Sequence, residues 1–210
     1  MPQLKIGVLV SGSGTNLQSL IDNVENGTIN GEIAVVISNK ENAYGLERAR
    51  QHNIDALYIN QNNYESFVKF NDAIMEEMRK HDVNLVILAG YLKILSHKFI
   101  ETYRNKIINI HPSLIPSFCG KGYYGLKVHE AVINYGVKIS GATVHFVNEE
   151  ADAGPIILQE TVEVNYNDTA ETLQQKVLVV EHKLLPLAVK YFCEGRIVVT
   201  GRKVIIKELN

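Results

Sequence analysis

The chain has 210 residues, 46% hydrophobic and 21% charged, and its 21 Lys and Arg against 23 Asp and Glu leave a net charge of −2. A chain of this length buries a core without staples, and the balanced charge supplies no broad cationic field for nucleic acid. Two distant cysteines, Cys119 and Cys193, with no CxxC pair and no Cys/His ligand spacing, argue against a disulfide scaffold and structural zinc. The apolar runs are too short to span a bilayer. Residues 1–10 enter a strand pattern directly, without the charged start and apolar core of a leader. The expectation is a cytoplasmic protein of one domain, residues 1–210.

In chain order, strands are predicted at 4–10, 32–38, 57–59, 85–88 and 107–110, from short β-branched runs. Helices are predicted between them at 16–24, 44–52, 67–81 and 96–103; in the third, Phe67, Phe70, Ile74 and Met78 recur at intervals of three and four. Strand–helix repetition with apolar strands predicts an α/β fold, a mainly parallel twisted sheet with helices on both faces. The pattern then changes. A loop rich in Pro, Gly and aromatics (112–125) leads to a helix near 128–135, then to strands at 141–147 and 156–164 joined by a turn. Asp168 or Thr169 caps a long helix to about Cys193, which Pro186 should kink or break. A terminal hairpin at 197–199 and 204–206 flanks Gly201, so the second half is the more antiparallel one.

Three segments carry chemistry. Ser11-Gly12-Ser13-Gly14-Thr15-Asn16 lies between the first strand and first helix, where glycines allow a tight turn and the helix start favours an anion. The third glycine of a dinucleotide fingerprint is replaced by Leu17, and the second strand ends in Ser38-Asn39-Lys40 rather than an acid for a ribose. No lysine stands where a Walker loop needs one, so NAD and ATP are disfavoured and a phosphate monoester fits better. Asn109-Ile110-His111-Pro112 places a neutral amide and an imidazole on one side of a strand end. Glu149-Glu150-Ala151-Asp152 forms an acidic turn whose carboxylate could hold a charged His111. Taken singly, each also fits a plain tight turn, a satisfied structural side chain or a solvated loop. No ligand spacing supports a metal.

Together these segments resemble the folate-dependent phosphoribosylglycinamide formyltransferase family. The resemblance rests on SGSGTN at 11–16, SNK at 38–40, GLERAR at 45–50, LAGYLKILS at 88–96, NIHPSLIPSF at 109–118, GATVHFV at 141–147 and DAGPIILQ at 152–159. It implies a Rossmann-like formyltransferase fold, with a phosphate-binding half of about 1–105 and a folate-binding and catalytic half of about 106–210. It implies transfer of the formyl group of 10-formyltetrahydrofolate to 5′-phosphoribosylglycinamide in purine synthesis, without metal, nucleic acid or membrane, by a monomer or homodimer. Asn109, His111 and Asp152 would be catalytic: the first two would hold the developing oxyanion, and Asp152 would support a protonated His111. Gly14, Thr15 and Asn16 would hold the phosphate, and Glu181 the ribose hydroxyls. Leu92, Lys93, Ile94 and Leu95, with Asn109, Asn148, Glu149, Glu150, Ala151 and Asp152, would bind the folate. Phe67 stands where relatives often carry a basic residue toward the folate, with Lys69 nearby, and Leu178 where they carry a polar one toward the phosphate. A formyltetrahydrofolate hydrolase is the nearest alternative, and a non-catalytic nucleotide-binding module a remote one.

Overall fold

Leu4–Val10 forms the first strand, β1, and its last five residues are all buried, which requires cover on both faces of the sheet. β1 pairs in parallel with β2 (Gly31–Ser38) and β4 (Leu85–Leu88), and β2 pairs in parallel with β3 (Asp55–Tyr58). The connecting helices are α1 (Thr15–Glu25), α2 (Tyr44–Gln51), α3 (Phe67–Lys80) and α4 (His97–Thr102). The apolar stripe expected on α3 is its buried face, with Phe70, Ile74 and Met78 turned inward while Phe67 is half-exposed. Ser66 and Ser96 cap α3 and α4, each hydroxyl accepting a backbone N–H three residues on.

The computed structural model describes residues 3–208, so the first two residues of the expected leaderless start lie outside it. It divides into two compact units, the first ending at Ile108 and the second beginning at Asn109. β5 (Ile107–His111) runs through that division. The second unit continues with α5 (Leu126–Tyr135), the antiparallel pair β6 (Ile139–Phe146) and β7 (Ile156–Glu163), α6 (Ala170–Cys193), and a hairpin of β8 (Ile197–Thr200) and β9 (Lys203–Ile206). The seven-stranded sheet has the order β3-β2-β1-β4-β5-β6-β7, so the α/β class with a mainly parallel sheet and an antiparallel C-terminal portion is observed.

Two expectations need correction. The third strand is Asp55–Tyr58 rather than 57–59, because backbone pairing with Val35–Ser38 fixes it and accepts the polar Asp55 at its start. The long helix is not broken at Pro186. Leu184, Leu185, Pro186, Ala188 and Val189 are all buried, so packing offsets the roughly 3 kcal/mol a mid-helix proline costs. Thr169 caps this helix in a reciprocal pair with Thr172. Among the described residues no helix is long and apolar enough to cross a membrane.

Candidate active site

In the first unit, β1 ends at Val10 and the chain turns through Ser11–Gly14 into α1. Gly14 has φ 70, and a Cβ there would fall 2.6 Å from the Gly45 Cα. Only glycine meets both the left-handed backbone and that approach of α2. Among the described residues no side chain caps α1, whose first turn starts at Thr15 and Asn16, where backbone N–H groups lie at the positive end of the helix. Arg48 secures the turn from behind, its Nε donating to the Ser13 carbonyl at 2.9 Å and its Nη1 to Gln18 at 3.0 Å. The Ser11 hydroxyl donates to Asn39 Oδ1 at 2.6 Å and accepts from the Leu92 N–H at 2.9 Å. The glycine turn and the segment 92–95 therefore share one strut. Leu95 is buried, and the Ser96 N–H donates to the buried Asn71 Oδ1 at 2.9 Å, while Leu92, Lys93 and Ile94 are exposed. Two large apolar side chains held open on a tethered loop are an apolar wall without a covering partner in this unit.

In the second unit, β5 puts Asn109 and His111 two residues apart on one face. The turn after β6 brings back Asp152, in left-handed backbone at φ 53. Asn109 Nδ2 lies 3.4 Å from Asp152 Oδ1, and His111 Nδ1 lies 3.5 Å from Asp152 Oδ2. His111 Nε2 donates to the Phe118 carbonyl at 3.0 Å, and the Gly120 N–H donates to Asp152 Oδ2 at 2.8 Å.

A fourth polar side chain, His145, was not singled out from the sequence. Its Nδ1 donates to the Phe146 carbonyl at 2.8 Å, and its Nε2 lies 3.1 Å from Asn109 Nδ2 and 3.8 Å from Asp152 Oδ1. Burial pushes His145 below its ordinary 6.5, outweighing the opposing pull of the Phe146 carbonyl and Asp152. A neutral ring with its proton on Nδ1 leaves Nε2 as an acceptor. That fixes the Asn109 amide with its NH2 toward His145 and Asp152. The register shift between Val144 and His145 aims the ring there. In β6, Thr143 and His145 lie on the face opposite Ala142, Val144 and Phe146, and because both faces are buried the alternation does not by itself mark His145.

The remaining predicted residues are placed as follows. Asn148 Oδ1 accepts from the Glu150 N–H at 3.3 Å, forming the turn in which Glu149, Glu150 and Ala151 are exposed. Glu181 is buried on α6. Cys119 donates to the Pro116 carbonyl; burial, then Asp152, pushes its thiol up, which disfavours a thiolate nucleophile. The Ile115–Pro116 peptide is cis.

His129 on α5 is buried, and its Nδ1 has no hydrogen-bond partner among the described residues. Burial, and secondarily the nearby His111, pushes it from 6.5 to about 4. The folded chain thus resists a proton that the unfolded chain takes up from about pH 6.5 downward. Stability is complete above 6.5 and is lost as the pH falls toward 4, by up to about 1.4 kcal/mol per pH unit for one proton. Urea denaturation at pH 7, 6 and 5 is expected to show that decline and a shallower one in His129→Leu. Equal slopes would remove His129 as its source.

A family model described as Formyl transferase matches residues 4–189. The chain is 44% identical over 193 residues to a phosphoribosylglycinamide formyltransferase of Haemophilus influenzae, covering 92% of this chain and 89% of that protein. The crystal structure of glycinamide ribonucleotide transformylase 1 from Symbiobacterium toebii matches with TM-score 0.94 and 45% identity, over 98% of this chain and 95% of that one. A formyltetrahydrofolate deformylase from Pseudomonas syringae pv. tomato matches with TM-score 0.88 and 28% identity, over 98% of this chain and 66% of that one.

Proposed function

The chain belongs to the formyl transferase family, and from that premise we propose that it transfers the formyl group of 10-formyltetrahydrofolate to the amine of 5′-phosphoribosylglycinamide. The products are the N-formyl ribonucleotide and tetrahydrofolate, a step of de novo purine synthesis leading to IMP. The observation that carries the chemistry is the cluster of Asn109, His111 and Asp152, in which the amide and the imidazole each come within 3.5 Å of the Asp152 carboxylate.

The amine nitrogen attacks the formyl carbon, the carbonyl oxygen becomes an oxyanion, and the bond to the folate nitrogen breaks as that nitrogen takes a proton relayed from the amine by water. The Asn109 NH2 and a protonated His111 would donate to the oxyanion. The 3.4 Å contact from Asn109 to Asp152 is the weaker of the two amide contacts, and it is the one to exchange for the oxyanion. Asp152 would stabilise the imidazolium, and no covalent enzyme intermediate is required.

Gly14, Thr15 and Asn16 would bind the substrate phosphate through the uncapped start of α1, and Glu181 the ribose hydroxyls. Leu92, Lys93, Ile94 and Leu95 would form the folate wall, with Asn109 and residues 148–152 completing it. A family match that extends through both units supports their working as one formyltransferase domain. We assign the enzyme to the cytoplasm, as a monomer or homodimer.

The likeness to a formyltetrahydrofolate deformylase gives one competing reading, with water in place of the amine. The two separate in one assay that follows tetrahydrofolate formation with and without 5′-phosphoribosylglycinamide. Release that depends on the amine substrate is expected. Release independent of it would establish hydrolysis instead, and no release would leave only binding.

A further inference from the structure

Two residues one apart, Phe118 and Gly120, touch the two ionisable members of the proposed catalytic cluster through backbone atoms alone. The Phe118 carbonyl accepts from His111 Nε2 at 3.0 Å, and the Gly120 N–H donates to Asp152 Oδ2 at 2.8 Å. The polarity is matched: the negative end of one peptide dipole meets an imidazole N–H, and the positive end of another meets a carboxylate.

Phe118 adopts φ 50, a left-handed conformation that is unfavourable for a bulky residue. Its ring lies edge-on to Tyr123 and Tyr135, with centroids 6.3 and 5.8 Å away, which holds the residue in place. Gly120 is also left-handed, at φ 83. The backbone strain is what turns the carbonyl at 118 and the N–H at 120 to the same pair of side chains.

We propose that the Phe118–Gly120 backbone is a positioning clip, which keeps the His111 proton on Nε2 and so leaves Nδ1, beside Asp152, as the nitrogen that faces the reacting carbonyl. The inference rests on the formyl-transfer reading above, with Gly120 as a positioning residue. A carbonyl cannot donate, so neutral His111 keeps its hydrogen on Nε2, and a second proton enters at Nδ1, 3.5 Å from Asp152 Oδ2. Gly120 restrains that same carboxylate oxygen, while Asn109 contacts the other. The other titratable groups facing the pair are His129 from α5, His145 from β6 and Cys119 within the clip. Turnover therefore depends on the backbone of this loop.

Gly120→Ala tests this, with Gly122→Ala as the control. A Cβ at Gly120 would meet only the Ala151 carbonyl, at 4.0 Å, and one at Gly122 nothing within 4 Å. Both positions are left-handed, at φ 83 and φ 96, so the backbone cost is similar, and only residue 120 contacts the cluster. Gly120→Ala is expected to lower kcat by about tenfold or more, with the KM for 5′-phosphoribosylglycinamide within about twofold, and to displace a limb of the pH–rate profile. Gly122→Ala is expected to stay within about twofold of the parent in kcat. Ring-nitrogen NMR of the parent protein, which needs no variant, is expected to show neutral His111 protonated at Nε2. Equal losses in both glycine variants, an unchanged profile in Gly120→Ala, or a neutral His111 protonated at Nδ1 would overturn the clip. If the parent protein lacks amine-dependent transfer, the functional reading fails, and the NMR tautomer alone decides for or against the clip.

Discussion

Asn109→Ala and His111→Ala are each expected to lower turnover by about a hundred- to a thousandfold, the loss of roughly 3–4 kcal/mol that follows removal of one oxyanion donor. The Michaelis constant for 5′-phosphoribosylglycinamide should change little, because the lost interaction strengthens only as negative charge develops. The two variants differ in what they leave behind. Without Asn109, the neutral His145 Nε2 loses its 3.1 Å donor. Without His111, the Phe118 carbonyl loses its donor and Asp152 the imidazole beside it. Steady-state kinetics with unfolding controls separates lost chemistry from lost structure. Because both side chains serve one oxygen, the double variant should fall little further than the worse single one. Near-normal turnover in both variants would remove them from the reaction.

Gly154→Ala is expected to be among the most damaging changes to stability. A Cβ at 154 would sit 1.7 Å from the Phe146 carbonyl oxygen and 2.7 Å from its carbon. Phe146 cannot give way cheaply. Its N–H donates to the Pro155 carbonyl at 2.8 Å, and its carbonyl receives the His145 Nδ1 proton. Relief would disturb the turn that carries Asp152 and the histidine that orients Asn109. We expect a loss of about 3 kcal/mol or more, and with it a fall of roughly 6–12 °C in Tm. Thermal denaturation reads the first effect and turnover of the surviving folded protein the second. An unchanged Tm would mean the turn accommodates the methyl.

The sheet was legible because β1, β2 and β4 are short β-branched runs separated by amphipathic stretches, and local pattern suffices for such strands. The Asn109–His111 alternation was legible for the same reason, since a strand repeats every two residues. What escaped depended on tertiary structure. His145 sits on a strand buried on both faces, so hydrophobic alternation gave no reason to single it out. The Phe118 and Gly120 contacts use backbone atoms, which every residue type supplies, and only their left-handed conformations select them. Pro186 read as a kink or a break because the pattern shows the cost to the helix but not the burial that offsets it. The start of β3 was missed because Asp55 enters the ladder through its main chain.

The outer strands of the sheet also bear on how the chain behaves in concentrated solution. β3 and β7 stand at its two ends, where unsatisfied peptide groups would otherwise template intermolecular assembly. β3 is only four residues long and opens on the exposed Asp55. β7 carries Glu160 and Glu163, Lys183 engages Glu160 at 2.7 Å, and β9 lies against that strand. Brevity guards one margin, while charge and a covering hairpin guard the other, so edge-to-edge polymerisation is discouraged at both.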